Sequence, residues 1–196
     1  MLSERLRALL SGLMLSVGRI LGRTGLSPNV FTVIGFVAVS LNAVLIALGY
    51  LPLAGVLLAA ALLLDALDGA VARATNQSSK FGMFLDATLD RWSEVAIFFG
   101  LGVFMQRTGS PLDAALVYWA ICGSLLVSYT RARAETVGVL CKEGLFTRFE
   151  RMLVIILGLL FNQLTLAVGA IAILATLTAA QRLHYVWQQM KAAPRS

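Results

Sequence analysis

Apolar runs long enough to cross a bilayer, about 20 residues each, alternate with short polar breaks along this chain. The pattern predicts membrane spans over 29–49, 52–73, 83–105, 111–134, 148–166 and 164–188. The last two meet at Asn162-Gln163, read as a tight polar turn. Ahead of the first span, Leu2, Leu6, Leu9, Leu10, Leu13, Val17 and Leu21 recur at helical spacing, with Arg5, Arg7 and Ser11 elsewhere on the wheel. That pattern predicts an amphipathic helix over 2–24 lying in the membrane interface, its cations toward anionic lipid. Ser27-Pro28-Asn29 separates it from the first span, with Ser27 as cap and Pro28 in the first turn of the new helix. The predicted fold is all-α: an integral membrane protein with six transmembrane helices bundled over 29–188 and an N-terminal amphipathic interfacial helix, one domain over 1–196. No internal repeat is visible.

Composition agrees. Of the 196 residues 59% are hydrophobic and 13% charged, against about 25% charged in a soluble domain; mean hydropathy is +0.84. A soluble globular class is excluded. Cys122 and Cys141 form no disulfide framework or metal-ligand spacing. No short apolar stretch followed by a small-residue cleavage site marks a cleaved signal peptide.

The net charge of +6 is unevenly spread. Six spans put both termini on one side. That side carries Arg5, Arg7, Arg19, Arg23, Lys80, Arg131, Arg133, Lys142, Arg148, Arg151, Lys191 and Arg195; the opposite loops carry Arg107. The positive-inside rule places both termini in the cytoplasm, and the protein in the cytoplasmic membrane.

Against this apolar background, Asp65, Asp68, Asp86 and Asp90 stand out. A charge at the bilayer centre costs about 2.5–3.5 kcal/mol on insertion scales, so four uncompensated ones cost roughly 10 kcal/mol. Their position toward the cytoplasmic ends of spans two and three lowers that cost. Asp65, Asp68, Gly69 and Ala72 fall at i, i+3, i+4 and i+7 of one helix face, and Gly82, Asp86 and Asp90 at i, i+4 and i+8 of the next. A short polar link, 75–80, makes the two helices antiparallel neighbours. Carboxylate oxygens favour hard divalent ions such as Mg²⁺, Mn²⁺ or Ca²⁺ over zinc, and four carboxylates leave room for two ions. Gly69, Ala72 and Gly82 remove bulk beside the acids, so that a nucleotide or diphosphate can approach the backbone. Arg73, at the polar end of the same helix, can meet a phosphate. A single Asp here could equally be a helix cap or the partner of Arg73 or Arg91. The full set at regular spacing is what points to a metal site.

The pattern Asp65-x2-Asp68-Gly69-x2-Ala72-Arg73-x8-Gly82-x3-Asp86-x3-Asp90 resembles the signature of the CDP-alcohol phosphotransferase family, with every fixed position met. The resemblance covers essentially the whole chain. It implies metal-dependent transfer of a phosphatidyl or similar group from a CDP-linked donor, such as CDP-diacylglycerol, to an alcohol, with release of CMP. It implies metal ligation by Asp65, Asp68, Asp86 and Asp90, a general-base role for Asp90, and a CDP site lined by Asp65, Asp68, Gly69, Ala72, Arg73 and Gly82. It also implies a homodimer; no nucleic-acid partner is expected. The chemistry is physically coherent without a covalent enzyme intermediate. A carboxylate one turn beyond Asp86 can take the proton of an attacking hydroxyl. The lone His184 is read as structural.

The acceptor is less legible. Lys80-Phe81-Gly82 and Asp90-Arg91 resemble the branch of the family that uses inositol phosphate, whereas members using glycerol phosphate carry lysine after the last Asp. Arg131 and Arg133 close span four, Arg151 opens span five and Arg182 lies within span six. An arginine inside a span faces a cavity or partner rather than lipid. Together they are expected to bind a phosphate on the acceptor, where the resemblance places the basic residues of the inositol-phosphate enzymes. Some of those enzymes have lysine where Arg131 stands. Positive-inside topology, with pairing to Glu135 and Glu150, is the competing account of Arg131 and Arg133. Two rivals remain: the same reaction on glycerol 3-phosphate or another alcohol, and, more remotely, a divalent-cation transporter. Transport sites sit near the midplane of repeated halves, whereas these acids cluster at one face beside arginines.

Overall fold

The computed structural model describes residues 27–75, 79–141 and 144–192, with the backbone alone for 28 and 64–75. Among the described residues the structure is helical, with no strand. Six helices follow in order: α1 Pro28–Leu48, α2 Leu51–Thr75, α3 Lys80–Thr108, α4 Pro111–Thr136, α5 Arg148–Leu160 and α6 Leu164–Ala192. The interfacial helix expected over 2–24 lies outside the described residues. α1, α4 and α6 are long and apolar enough to cross a membrane; the apolar stretch Leu51–Leu63 of α2 is shorter. α3 carries Asp86, Asp90, Arg91 and Glu94 in its first half, and α5 has 13 residues.

Helix ends follow from local chemistry. α1 begins at Pro28, where the missing N–H is no loss, and Val30 N–H donates to the Ser27 carbonyl at 3.0 Å. Its far end closes with Gly49 at φ 90°: Gly49 N–H donates to Ile46 O and Tyr50 N–H to Leu45 O. These are the paired bonds of a Schellman cap, which needs a left-handed residue just past the helix. The same device ends α4 at Gly138, φ 80°, through Gly138 N–H to Glu135 O and Val139 N–H to Ala134 O. It recurs after α5 with Asn162 at φ 53° and Gln163 N–H donating to Gly158 O at 2.8 Å. The polar turn expected at Asn162-Gln163 is there, and it cuts the fifth helix at Leu160 rather than 166. Two starts use an acid at the third position. Asp113 accepts from the Ser110 N–H and hydroxyl, and Glu150 accepts from the Thr147 N–H at 2.8 Å and from the Thr147 hydroxyl.

The chain clusters into two compact units. One comprises residues up to 42 and 57–97; the other comprises 43–56 and 98–196. In the second, α4 and α6 pack together through small residues: a Cβ on Gly123 would stand 3.2 Å from Ala175 Cβ. Trp119 Nε1 donates to Thr176 Oγ1 at 3.0 Å across the same contact. α5 meets α6 where Gly158 lies so close to Ala167 that a Cβ would come within 2.5 Å of its methyl. α1 and α3 cross at Ala43 and Gly100, where a Cβ on Gly100 would overlap the Ala43 carbonyl oxygen. Small residues let membrane helices approach backbone to backbone, the main packing gain when lipid is as apolar as the core. Outward-facing residues remain apolar, among them Ile34 and Leu41 on α1 and Leu166, Ile173 and Leu177 on α6. This multi-pass arrangement, with apolar residues both inside and out, is that of a membrane protein.

Candidate functional site

Within the first unit, the second half of α2 and the start of α3 carry the acidic pattern. α2 is helical through Thr75, so Asp65, Asp68, Gly69 and Ala72 fall on one face of it and Arg73 follows in its last turn. α3 is helical from Lys80, which puts Gly82, Asp86 and Asp90 on one face. The start of α3 is fixed by Ser79, whose hydroxyl accepts from the Gly82 N–H at 2.9 Å. A Cβ on Gly82 would lie 3.0 Å from Asn29 Oδ1 and 3.1 Å from Ser79 Oγ. A side chain here would press on the first turn of α1 and on the Ser79 hydroxyl. Neither Asn29 nor Ser79 was expected at the site from sequence.

Asp86 is exposed and Asp90 partly so. Arg91 stands beside Asp90, Nη1 to Oδ2 3.7 Å, while donating to the Ala87 carbonyl at 2.8 Å. Four residues on, Glu94 is buried, as is Ser93. Glu94 extends the i, i+4 series of Asp86 and Asp90 by a further turn, a signal present in the spacing and overlooked. The structure thus brings Asp86 and Asp90 onto one accessible face. Among the described residues no three acids, histidines or cysteines gather around one point; the Asp65 and Asp68 side chains lie outside the description. The donor set on α3 is carboxylate oxygen, which fits a hard divalent cation.

The arginines lie in the second unit and fall into two kinds. Arg131 and Arg133 are exposed on the last turns of α4, two residues apart and so on different faces. Arg131 pairs with Glu135 at 3.1 Å, one of the structural partners anticipated for it. Arg151 and Arg182 are buried, at 1% and 4% exposure. Arg151 Nη1 donates to the Phe146 carbonyl at 3.2 Å. Arg182 Nη1 donates to the Val127 carbonyl, which also accepts from the Thr130 hydroxyl at 3.1 Å. His184 bonds to Gln188 at 2.8 Å and stacks near Trp187, a surface arrangement near the end of α6.

The fold and site define a helical membrane protein with an acidic sequence series carried on the successive helices α2 and α3 and buried guanidiniums on α5 and α6. Residues 25–180 match the CDP-alcohol phosphatidyltransferase family. The chain is 40% identical to an archaetidylinositol phosphate synthase of Pyrococcus horikoshii over 169 residues, 86% of this chain and 87% of that one. It also superposes on Mycobacterium tuberculosis phosphatidylinositol phosphate synthase with CDP-DAG bound, with TM-score 0.82 and 32% identity over 89% of this chain and 93% of the other. The same enzyme in complex with manganese and citrate gives TM-score 0.83 at 31% identity, over 89% and 88%. This chain belongs to the CDP-alcohol phosphatidyltransferase family and is a transferase.

Proposed function

We propose that this protein transfers the phosphatidyl group of CDP-diacylglycerol to a phosphorylated polar alcohol, inositol phosphate, giving phosphatidylinositol phosphate and CMP. The observation that carries the reading is the complete acidic signature, Asp65 to Asp90, standing on two successive helices of a membrane protein. The buried Arg151 and Arg182 support a phosphorylated acceptor over a neutral one.

Asp65, Asp68, Asp86 and Asp90 would hold the metal, Mg²⁺ or Mn²⁺ and two ions by carboxylate count. Held by these carboxylates, such ions would supply positive charge to offset that of the donor's diphosphate and of CMP. Gly69, Ala72, Arg73 and Gly82 line the CDP site with Asp65 and Asp68. Asp90 takes the proton of the acceptor hydroxyl as that oxygen attacks the β-phosphorus; the new P–O bond forms as the bond to the CMP oxygen breaks. Arg131, Arg133, Arg151 and Arg182 bind the acceptor phosphate. The chain acts as one domain with six spans, an interfacial N-terminal helix, both termini and the site on the cytoplasmic side, and pairs as a homodimer.

The test is a panel of alcohols offered to the purified protein with CDP-diacylglycerol and Mg²⁺ or Mn²⁺, scored by CMP release. Inositol 1-phosphate or 3-phosphate should be used in preference to inositol. A preference for glycerol 3-phosphate would keep the reaction and replace the acceptor, and no CMP release with any alcohol would sink the enzyme reading.

A further inference from the structure

Between α4 and α5 the short stretch from Gly144 to Phe146 reaches both buried arginines. Gly144 has φ 145°, a conformation side chains rarely adopt, and a Cβ built on it would stand 3.0 Å from both Nε and Nη2 of Arg182 and 3.1 Å from Thr178 Cγ2. The guanidinium edge of Arg182 therefore lies against bare backbone. Its other end is fixed, since Nη1 donates to Val127 O on α4. Two residues further on, the carbonyl of Phe146 accepts from Arg151 Nη1 at 3.2 Å, and the Phe146 side chain is itself buried. Thr147 then starts α5 under the Glu150 carboxylate, which ties down the exit of the segment.

From this contact pattern we propose that Gly144 is a positioning residue for the acceptor, setting through Arg182 how tightly the protein binds an alcohol's phosphate. The inference rests on the acceptor reading above. A guanidinium recognises phosphate through a planar fork whose direction matters as much as its charge. Arg182 is held between Val127 O and Gly144, so its plane is set by the main chain on two sides. A methyl at 144 would press on Nε and Nη2 of Arg182 and on Thr178 Cγ2, so the guanidinium would have to give by a few tenths of an ångström. Arg151 donates to a different residue of the segment and keeps its partner. The donor's diphosphate is proposed to be handled by α2 and α3, so its binding should be insensitive to the change.

The experiment is Gly144→Ala in the full-length protein. KM for inositol phosphate should rise about tenfold, the scale of a small misplacement of a positioning group, with KM for CDP-diacylglycerol unchanged. In an Arg182→Lys background the same substitution should add little, because the group it displaces is gone. Equal rises in both KM values, or full additivity with Arg182→Lys, would mean that Gly144 only supports the fold and would overturn the proposal. If the variant does not fold, hydrogen exchange of the wild-type protein decides: inositol phosphate should slow exchange at 144–147 and CDP-diacylglycerol should not, and the absence of that difference overturns it. Wild type that uses no phosphorylated alcohol refutes the acceptor reading itself. Wild type that uses inositol phosphate, with its KM unmoved by Gly144→Ala, refutes the role of Gly144 alone.

Discussion

Arg91 folds back along α3 to stand 3.7 Å from the carboxylate of Asp90, anchored by its bond to the Ala87 carbonyl. The pair is partly exposed, so its Coulombic worth is small. Its consequence is directional: the guanidinium occupies one side of the Asp90 carboxylate. Asp90→Asn should lower CMP release by about 10²–10⁴-fold, the range of a lost general base, while CDP-diacylglycerol still binds. Donor binding lost in step with turnover would show that Asp90 acts mainly as a ligand. Arg91→Ala should have a far smaller effect on turnover.

Arg151→Ala should raise KM for a phosphorylated acceptor more than KM for the donor. The guanidinium is buried and donates to Phe146 O, so the variant will also melt earlier. Steady-state kinetics at a temperature well below the new midpoint separates the two effects. Matching changes in both KM values would place the acceptor phosphate elsewhere.

Chelation should abolish CMP release, and Mg²⁺ or Mn²⁺ should restore it. The donors on α3 are carboxylate oxygens, which bind hard cations reversibly. Activity that survives exhaustive treatment with a chelator would rule out the carboxylates as a metal site.

Ser79→Ala removes the hydroxyl that accepts from Gly82 N–H at the start of α3. Loss of such a cap costs about 1 kcal/mol, and because the helix it starts carries Asp86 and Asp90, the apparent metal affinity should weaken as well. Titration of activity against Mn²⁺ measures this; an unchanged titration would show that the first turn does not hold the acids in place.

Thr165→Val is the contrasting case. The Thr165 hydroxyl donates to Asp113 Oδ1 at 2.6 Å, while Ser110 donates to Oδ2 at 2.7 Å through its N–H. Removing a donor to a charged, buried acceptor costs about 1.5–3 kcal/mol. Thermal melting in detergent should show the loss, with both KM values unaltered. A kinetic effect would mean that this staple reaches the site.

The positions of the helices were legible from hydropathy, most plainly for α1, α4 and α6, which are apolar along a membrane-spanning length. Their ends were not. α3 starts at Lys80 and runs to Thr108, beyond the apolar run at both ends, because Ser79 caps it and polar turns continue the backbone bonds. α5 stops at Leu160, since the apolar signal runs on through Phe161 while the chain turns on the positive φ of Asn162. The acidic series was visible because spacing in a regular helix is geometry, yet Glu94 one turn further on was overlooked. That Arg182 turns inward was expected of an arginine inside a span; the partners of Arg151 and Arg182 could not be read, because the carbonyls of Phe146 and Val127 are main-chain atoms that any sequence would supply.

The thirteen residues of α5 also bear on the lipid. At 1.5 Å per residue such a helix is about 20 Å long, and a bilayer's hydrocarbon layer is about 30 Å thick. Phe161, Asn162 and Gln163, which close it, are exposed among the described residues. In a bilayer the acyl chains around the α5–α6 hairpin must shorten or tilt to meet the polar turn. Membranes built from longer chains would strain this corner of the protein first, coupling its stability to the chain length of the lipids in which it sits.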